Sequence, residues 1–249
     1  MTPDELKSFL DFKAEQYENT DFIETDPIQI PHRFSKKEDI EISGFLLSTI
    51  AWGNRTMIIR NGNKLMELME QDPHQYILDF TSRDLEFVHR TFNSQDLEFY
   101  LRSLKNMYHA GGLEQAFSGH PEIAGIKGRI VNFRDQFLSV DHESRSEKHI
   151  SSPLKNSACK RLNMFLRWMV RDAQKGVDFG IWKSIDASEL YLPLDVHTSK
   201  NARKIGILSR KQDDWKALEE LMGHLRSFDE KDPVKYDFAL FGLGAFEKF

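Results

Sequence analysis

Apolar positions recur along most of this chain with the helical period. Between residues 160 and 171 the members Leu162, Phe165, Leu166, Met169 and Val170 fall at i, i+3, i+4, i+7 and i+8, which predicts an amphipathic helix. Residues 3–17 show the same pattern in Leu6, Phe9, Leu10, Phe12 and Tyr17. Ser35 to Glu38 reads as a capping box opening a helix that runs through Ile50, with Ile40, Ile42, Phe45 and Leu46 inward. Residues 56–69, 94–109, 121–138 and 215–224 are further helices. The segment 20–34, with Pro27 and Pro31, reads as an extended connector, and 141–148 as a polar loop. After the short apolar stretch Pro193-Leu194, Asp195 stands where an N-cap belongs, and a helix from Val196 to Ile205 is stopped by Gly206. β-rich runs are short and few, so the fold class is all-α with ten or more helices.

Composition narrows this only a little. The chain has 249 residues, 40% hydrophobic and 29% charged, with 19 Phe, enough for a large core. No apolar run approaches membrane-spanning length, and the first residues lack the basic start and apolar core of a signal peptide. A soluble, cytoplasmic protein with no membrane association is the expectation. A single cysteine excludes internal disulfides and a four-cysteine iron–sulfur cluster. The nine histidines lack metal-ligand spacing, and there is no P-loop, dinucleotide fingerprint or nucleophile elbow. No metal or cofactor is expected.

Charge changes the picture more. The net charge is −5, yet residues 148–171 carry Lys148, Lys155, Lys160, Arg161, Arg167 and Arg171 with no acid among them. Residues 196–211 carry Lys200, Arg203, Lys204, Arg210 and Lys211, again without acids. These eleven cations leave −16 on the remainder. A polyanion is then drawn to one face and repelled elsewhere, unless the two runs are ordinary solvated faces. On the helix after residue 160, Lys160, Arg167 and Arg171 fall at i, i+7 and i+11, on a face apart from the apolar stripe.

The pair of helix starts carries a resemblance. Lys160 and Asn163, followed by Pro193, Asp195 and His197, resemble the two signature runs of the helix-hairpin-helix (HhH-GPD) DNA glycosylase superfamily, G-x-G-x-K-x-x-N and P-x-D-x-H/R. The 35-residue separation of Lys160 and Asp195 is nearest to the archaeal 8-oxoguanine DNA glycosylase branch, which the closing segment 232–244 also resembles. The chain as a whole resembles a bacterial family catalogued as a domain of unknown function. Asn156 and Ala158 stand where the superfamily has hairpin glycines; Asn adopts a left-handed backbone at modest cost and Ala does not, so the hairpin is reshaped or its phosphate contact weakened.

The resemblance implies two helical lobes with a cleft between them, residues 40–158 forming a barrel and residues 1–39 with 159–249 the other lobe. It implies a monomeric base-excision glycosylase acting on damaged duplex DNA, with an oxidised purine such as 8-oxoguanine as substrate and strand-nicking lyase activity. Lys160 is then the nucleophilic amine and Asp195 the carboxylate stabilising positive charge on the sugar. Lys155, Asn156, Arg161, Arg167, Arg171, His197, Lys200 and Arg203 would contact DNA. Trp52, Asn54 and Arg55, at the break after Ile50, would stack on the base or fill the gap it leaves, and Asp178 and Trp182 would reach the site from the insertion. The alternatives are a non-catalytic nucleic-acid-binding protein of the same fold, and an all-α protein–protein adaptor.

Overall fold

The computed structural model describes residues 1–247 and 249. Among them the protein is all-α, with two isolated β-bridges and no strand. It divides into two compact units, one made of Met1–Glu24 with Pro153–Phe249, the other of Thr25–Ser152. The boundaries between these units fall before residue 25 and after residue 152. The turn at 156–159 belongs to the first unit, where Asn156 and Ser157 are tied to Asp214 and Trp215.

The first unit opens with α1 (Pro3–Tyr17), whose Thr2 and Glu5 form a reciprocal capping box, and the short α2 (Asp21–Thr25). The second unit contains α3 (Lys37–Ile50), α4 (Arg55–Leu68), α5 (Pro73–Asp79), α6 (Ser94–His109), α7 (Leu113–Ala116) and α8 (Gly125–Phe137). Its core gathers Phe45 of α3, Tyr100 of α6 and Phe133 and Phe137 of α8, with ring centroids 5.4–5.8 Å from Phe45. Local expectations fail here: residues 144–149, in and just past the expected polar loop, form a 3-10 helix. Residues 27–29 and 31–33 form 3-10 turns, not extended chain, each begun by the proline that suits a first helical position. The Ser35 capping box is absent: the cap of α3 is Lys36, without a side-chain bond, and the carboxylate of Asp39 accepts the His74 backbone N–H at 2.8 Å.

The first unit resumes with α9 (Lys160–Val170), α10 (Val196–Ile205), α11 (Trp215–Phe228) and α12 (Tyr236–Ala245). The two chain ends pack on each other through α1 and α12. A Cβ at Gly242 would lie 2.1 Å from Cδ2 of Tyr17, so only glycine admits the Tyr17 ring there. Tyr236 donates to Asp11 at 2.8 Å, a second tie between the two helices. No helix among the described residues is long and apolar enough to cross a membrane.

Candidate active site

The start of α9 is set by an unusual turn. Asn156 and Cys159 both take left-handed backbone, with φ of 59° and 48°. Ala158 does not, so the strained position expected at Ala158 falls one residue later. Cys159 in that conformation costs roughly 1–2 kcal/mol. Asn163 secures the turn from within the helix, its Nδ2 donating to the Ala158 carbonyl at 2.9 Å. Asn156 is committed to the start of α11: its side-chain amide donates to Asp214 at 2.8 Å and its carbonyl accepts from the Trp215 N–H at 3.0 Å. The Arg210 guanidinium beside Asp214 holds that carboxyl well below the usual range. The side-chain amide of Asn156 thus has a protein partner, and its backbone N–H, the group the resemblance directed at a phosphate, donates to the Pro153 carbonyl at 3.1 Å.

The turn delivers Lys160 to the first position of α9, with its side chain 40% exposed. Its Nζ lies 3.7 Å from Oδ2 of Asp195, the cap of α10. The two oxygens of Asp195 divide their work. Oδ1 accepts the Thr198 backbone N–H at 2.8 Å, which fixes the carboxylate to the helix, and Oδ2 faces the amine. An amine and a carboxylate, 35 residues apart in sequence, form one partly exposed ion pair inside one unit.

Beyond Lys160, the cationic stripe of α9 is not on the surface. Arg167 and Arg171 are buried, and their guanidiniums form one network with carboxylates from distant segments. Arg167 reaches Asp178 at 3.3 Å and Asp237. Arg171 reaches Asp178 at 3.2 Å, Asp232 at 2.8 Å and Glu18. Both rest on the Phe238 ring, with Cζ 4.4 and 5.4 Å from its centroid. Their assignment to DNA phosphates is therefore corrected; they are interior ion-pair members. Four carboxylates meet two guanidiniums in this network, so the negative groups are in surplus. Burial pushes the Asp237 carboxyl up to about 7, against the pull of Arg167, and burial also raises Glu18. Asp237 is tied back to the site, since the Thr198 hydroxyl lies 3.5 Å from its Oδ1.

Asp178 and Trp182 are corrected in the same way. Asp178 is inside the network, and Trp182 is 1% exposed, edge-on to Phe165 at 5.3 Å. Neither has a face to offer a base. Arg203 is half-buried, bonded to Asp213 and to the Arg210 carbonyl. Lys155, His197 and Lys200 are exposed and Arg161 is half-buried, so these four retain surface near the two helix starts. His197 sets its ring edge-on to Phe241 at 5.9 Å.

Trp52, Asn54 and Arg55 lie in the second unit. The Trp52 ring is edge-on to His89 at 4.8 Å and stacked on His149 at 5.8 Å. Asn61 donates to Nδ1 of His89 at 2.8 Å, which leaves Nε2 to donate to the Trp52 carbonyl at 3.1 Å. Asn54 is the cap of α4, accepting the Met57 N–H at 3.2 Å, and Arg55 begins that helix.

Sequence reading missed Glu18, Thr198, Asp232 and Asp237. One signal for Asp237 was visible: it is a lone carboxylate within the apolar run Tyr236–Leu240, where an acid needs a buried partner.

Residues 26–246 match the model of a family described as "Protein of unknown function (DUF2400)". No curated protein and no solved structure matches the chain.

Proposed function

The chain belongs to the DUF2400 family, and from its own residues we propose that it is a base-excision DNA glycosylase with lysine-dependent lyase activity, an oxidised purine such as 8-oxoguanine being its substrate. The observation that carries this reading is the 3.7 Å approach of the Lys160 amine to the Asp195 carboxylate at two helix starts, with the amine partly exposed. In its neutral form the amine attacks the anomeric carbon of a flipped-out nucleoside. The Nζ–C1′ bond forms as the bond from C1′ to the base breaks, and the base leaves with the electron pair. Positive charge grows on the sugar in that step, and the Asp195 carboxylate stabilises it. Opening of the sugar ring gives an imine, from which β-elimination expels the 3′ phosphate and nicks the strand. Lys155, Arg161, His197 and Lys200, which retain surface, would hold phosphates on either side.

Borohydride trapping tests this. The imine is reduced to a stable secondary amine, so the wild type crosslinks to duplexes carrying 8-oxoguanine or an abasic site, and Lys160→Ala does not. A Lys160→Ala protein that crosslinks as well as wild type removes Lys160 from the role. The engagement of Asn156 with Asp214 favours a second reading, a nucleic-acid-binding protein without the reaction. Salt-dependent binding to abasic duplex with no crosslink at any pH is its outcome.

A further inference from the structure

On its buried side Asp195 is bonded to Thr198. Thr198 gives its backbone N–H to Asp195 Oδ1 at 2.8 Å and points its hydroxyl at Asp237 Oδ1, 3.5 Å away. Thr198 is fully buried, so water cannot substitute for either bond. We infer that Asp237 is a positioning residue: through the Thr198 hydroxyl it holds the Asp195 cap in place, and the charge it carries acts on the Lys160–Asp195 pair. This rests on the proposed glycosylase reading and adds to it a proton-linked control of the same site.

The geometry makes the coupling one-sided. From α9, Arg167 is bonded to Asp237 and Lys160 acts on it through space; from the segment after α9 comes Asp178; from α10 come Asp195 and the His197 imidazole, which packs on Phe241 and Gly244 of α12; from the segment before α12 comes Asp232, held by Arg171. On the α1 side, Glu18 is joined only through Arg171, and Asp11 is taken by Tyr236 and Lys235. Arg167 also serves Asp178, so Asp237 does not have a cation to itself. Its carboxyl is raised to about 7 by burial, with Asp195 and Asp178 adding to the rise. Near neutral pH it exchanges one proton with solvent. Ionised, its Oδ1 accepts the Thr198 hydroxyl and it places negative charge behind Asp195. Protonated, it withdraws that charge and weakens the bond to Thr198.

The Thr198 amide reports this directly. Its backbone proton resonance, followed by NMR against pH, is expected to step with a midpoint near 7 in the wild type. With His197→Gln as the common background, which removes the neighbouring imidazole, the step should vanish in Asp237→Asn and shrink in Thr198→Val, which keeps the backbone N–H but removes the hydroxyl. Borohydride trapping on abasic duplex, measured across the same pH range, should inflect at the same pH in wild type and lose the inflection in both variants. A flat Thr198 amide, or a step unchanged in Thr198→Val, overturns the inference. If Asp237→Asn does not fold, Thr198→Val decides alone. A normal amide step with no crosslink at any pH leaves the coupling standing and sinks the glycosylase reading instead.

Discussion

Replacing Asp237 with asparagine removes one charge from a closed interior and changes how stability depends on pH. The Asp237 carboxyl is raised from 3.8 to about 7, so the folded protein holds a proton that the unfolded chain releases. The sign follows from that. The stabilisation from this proton is complete below pH 3.8 and is lost as pH rises through about 7. A shift of that size, at about 1.4 kcal/mol per pH unit, amounts to roughly 4 kcal/mol over the whole window. About half of it, roughly 2 kcal/mol, should disappear between pH 5 and 7. Glu18 is shifted in the same direction, so the wild-type curve alone is not diagnostic. The difference between wild type and Asp237→Asn isolates the one group. Denaturant unfolding followed by tryptophan fluorescence suits the measurement, because Trp168, Trp182 and Trp215 are all buried in the unit that contains Asp237. The expected result is a wild-type advantage that shrinks by about 2 kcal/mol from pH 5 to 7. A difference curve that is level from pH 5 to 8 would refute the assignment of the extra proton to Asp237.

Three other outcomes are expected. Asp195→Asn keeps a capping oxygen and should stay within a few tenths of a kcal/mol of wild type in stability while losing base release, whereas Asp195→Ala should also cost about 1 kcal/mol; unchanged turnover in Asp195→Asn would remove Asp195 from the reaction. Trp182→Ala should destabilise by roughly 3–5 kcal/mol through the cavity left against Phe165, with no change in lesion preference per folded molecule, as measured by competition binding. Gly242→Ala should cost about 1–3 kcal/mol by forcing the Tyr17 ring out of its slot, read as a lower unfolding midpoint.

The helices that bury one continuous stripe were legible. α1, α6 and α10 begin and end where the period and caps place them. Lys160 and Asp195 stood out because both open helices, and the structure sets them 3.7 Å apart. The reading failed where a residue's environment is made by distant chain. Arg167 and Arg171 looked like a solvated face because no acid lies between Lys148 and Arg171; of their partners only Asp178 is near in sequence, 11 and 7 positions on, while Glu18, Asp232 and Asp237 are 153, 61 and 70 positions away. Trp182 looked available for stacking for the same reason. The prolines of residues 27–33 were read as breaks, yet a proline at the first position of a short turn fits it. The left-handed residue at 159 has no sequence signal, since cysteine does not favour that conformation.

The packing of α1 against α12 governs the order in which this chain is completed during synthesis. The unit spanning Thr25–Ser152 is contiguous and has all its residues once Ser152 has left the ribosome. α1 emerges first but waits for its partner, since Tyr236 lies 219 residues beyond Tyr17. At roughly 5–20 residues per second, that is a delay of about 10–40 s during which the apolar face of α1 is uncovered. Glu18 waits 153 positions for Arg171, and the arginines of α9 wait a further 61 and 70 positions for Asp232 and Asp237. A nascent chain stalled before residue 236 should therefore expose Leu6 and Leu10 to chaperones while its central unit is already protected from protease.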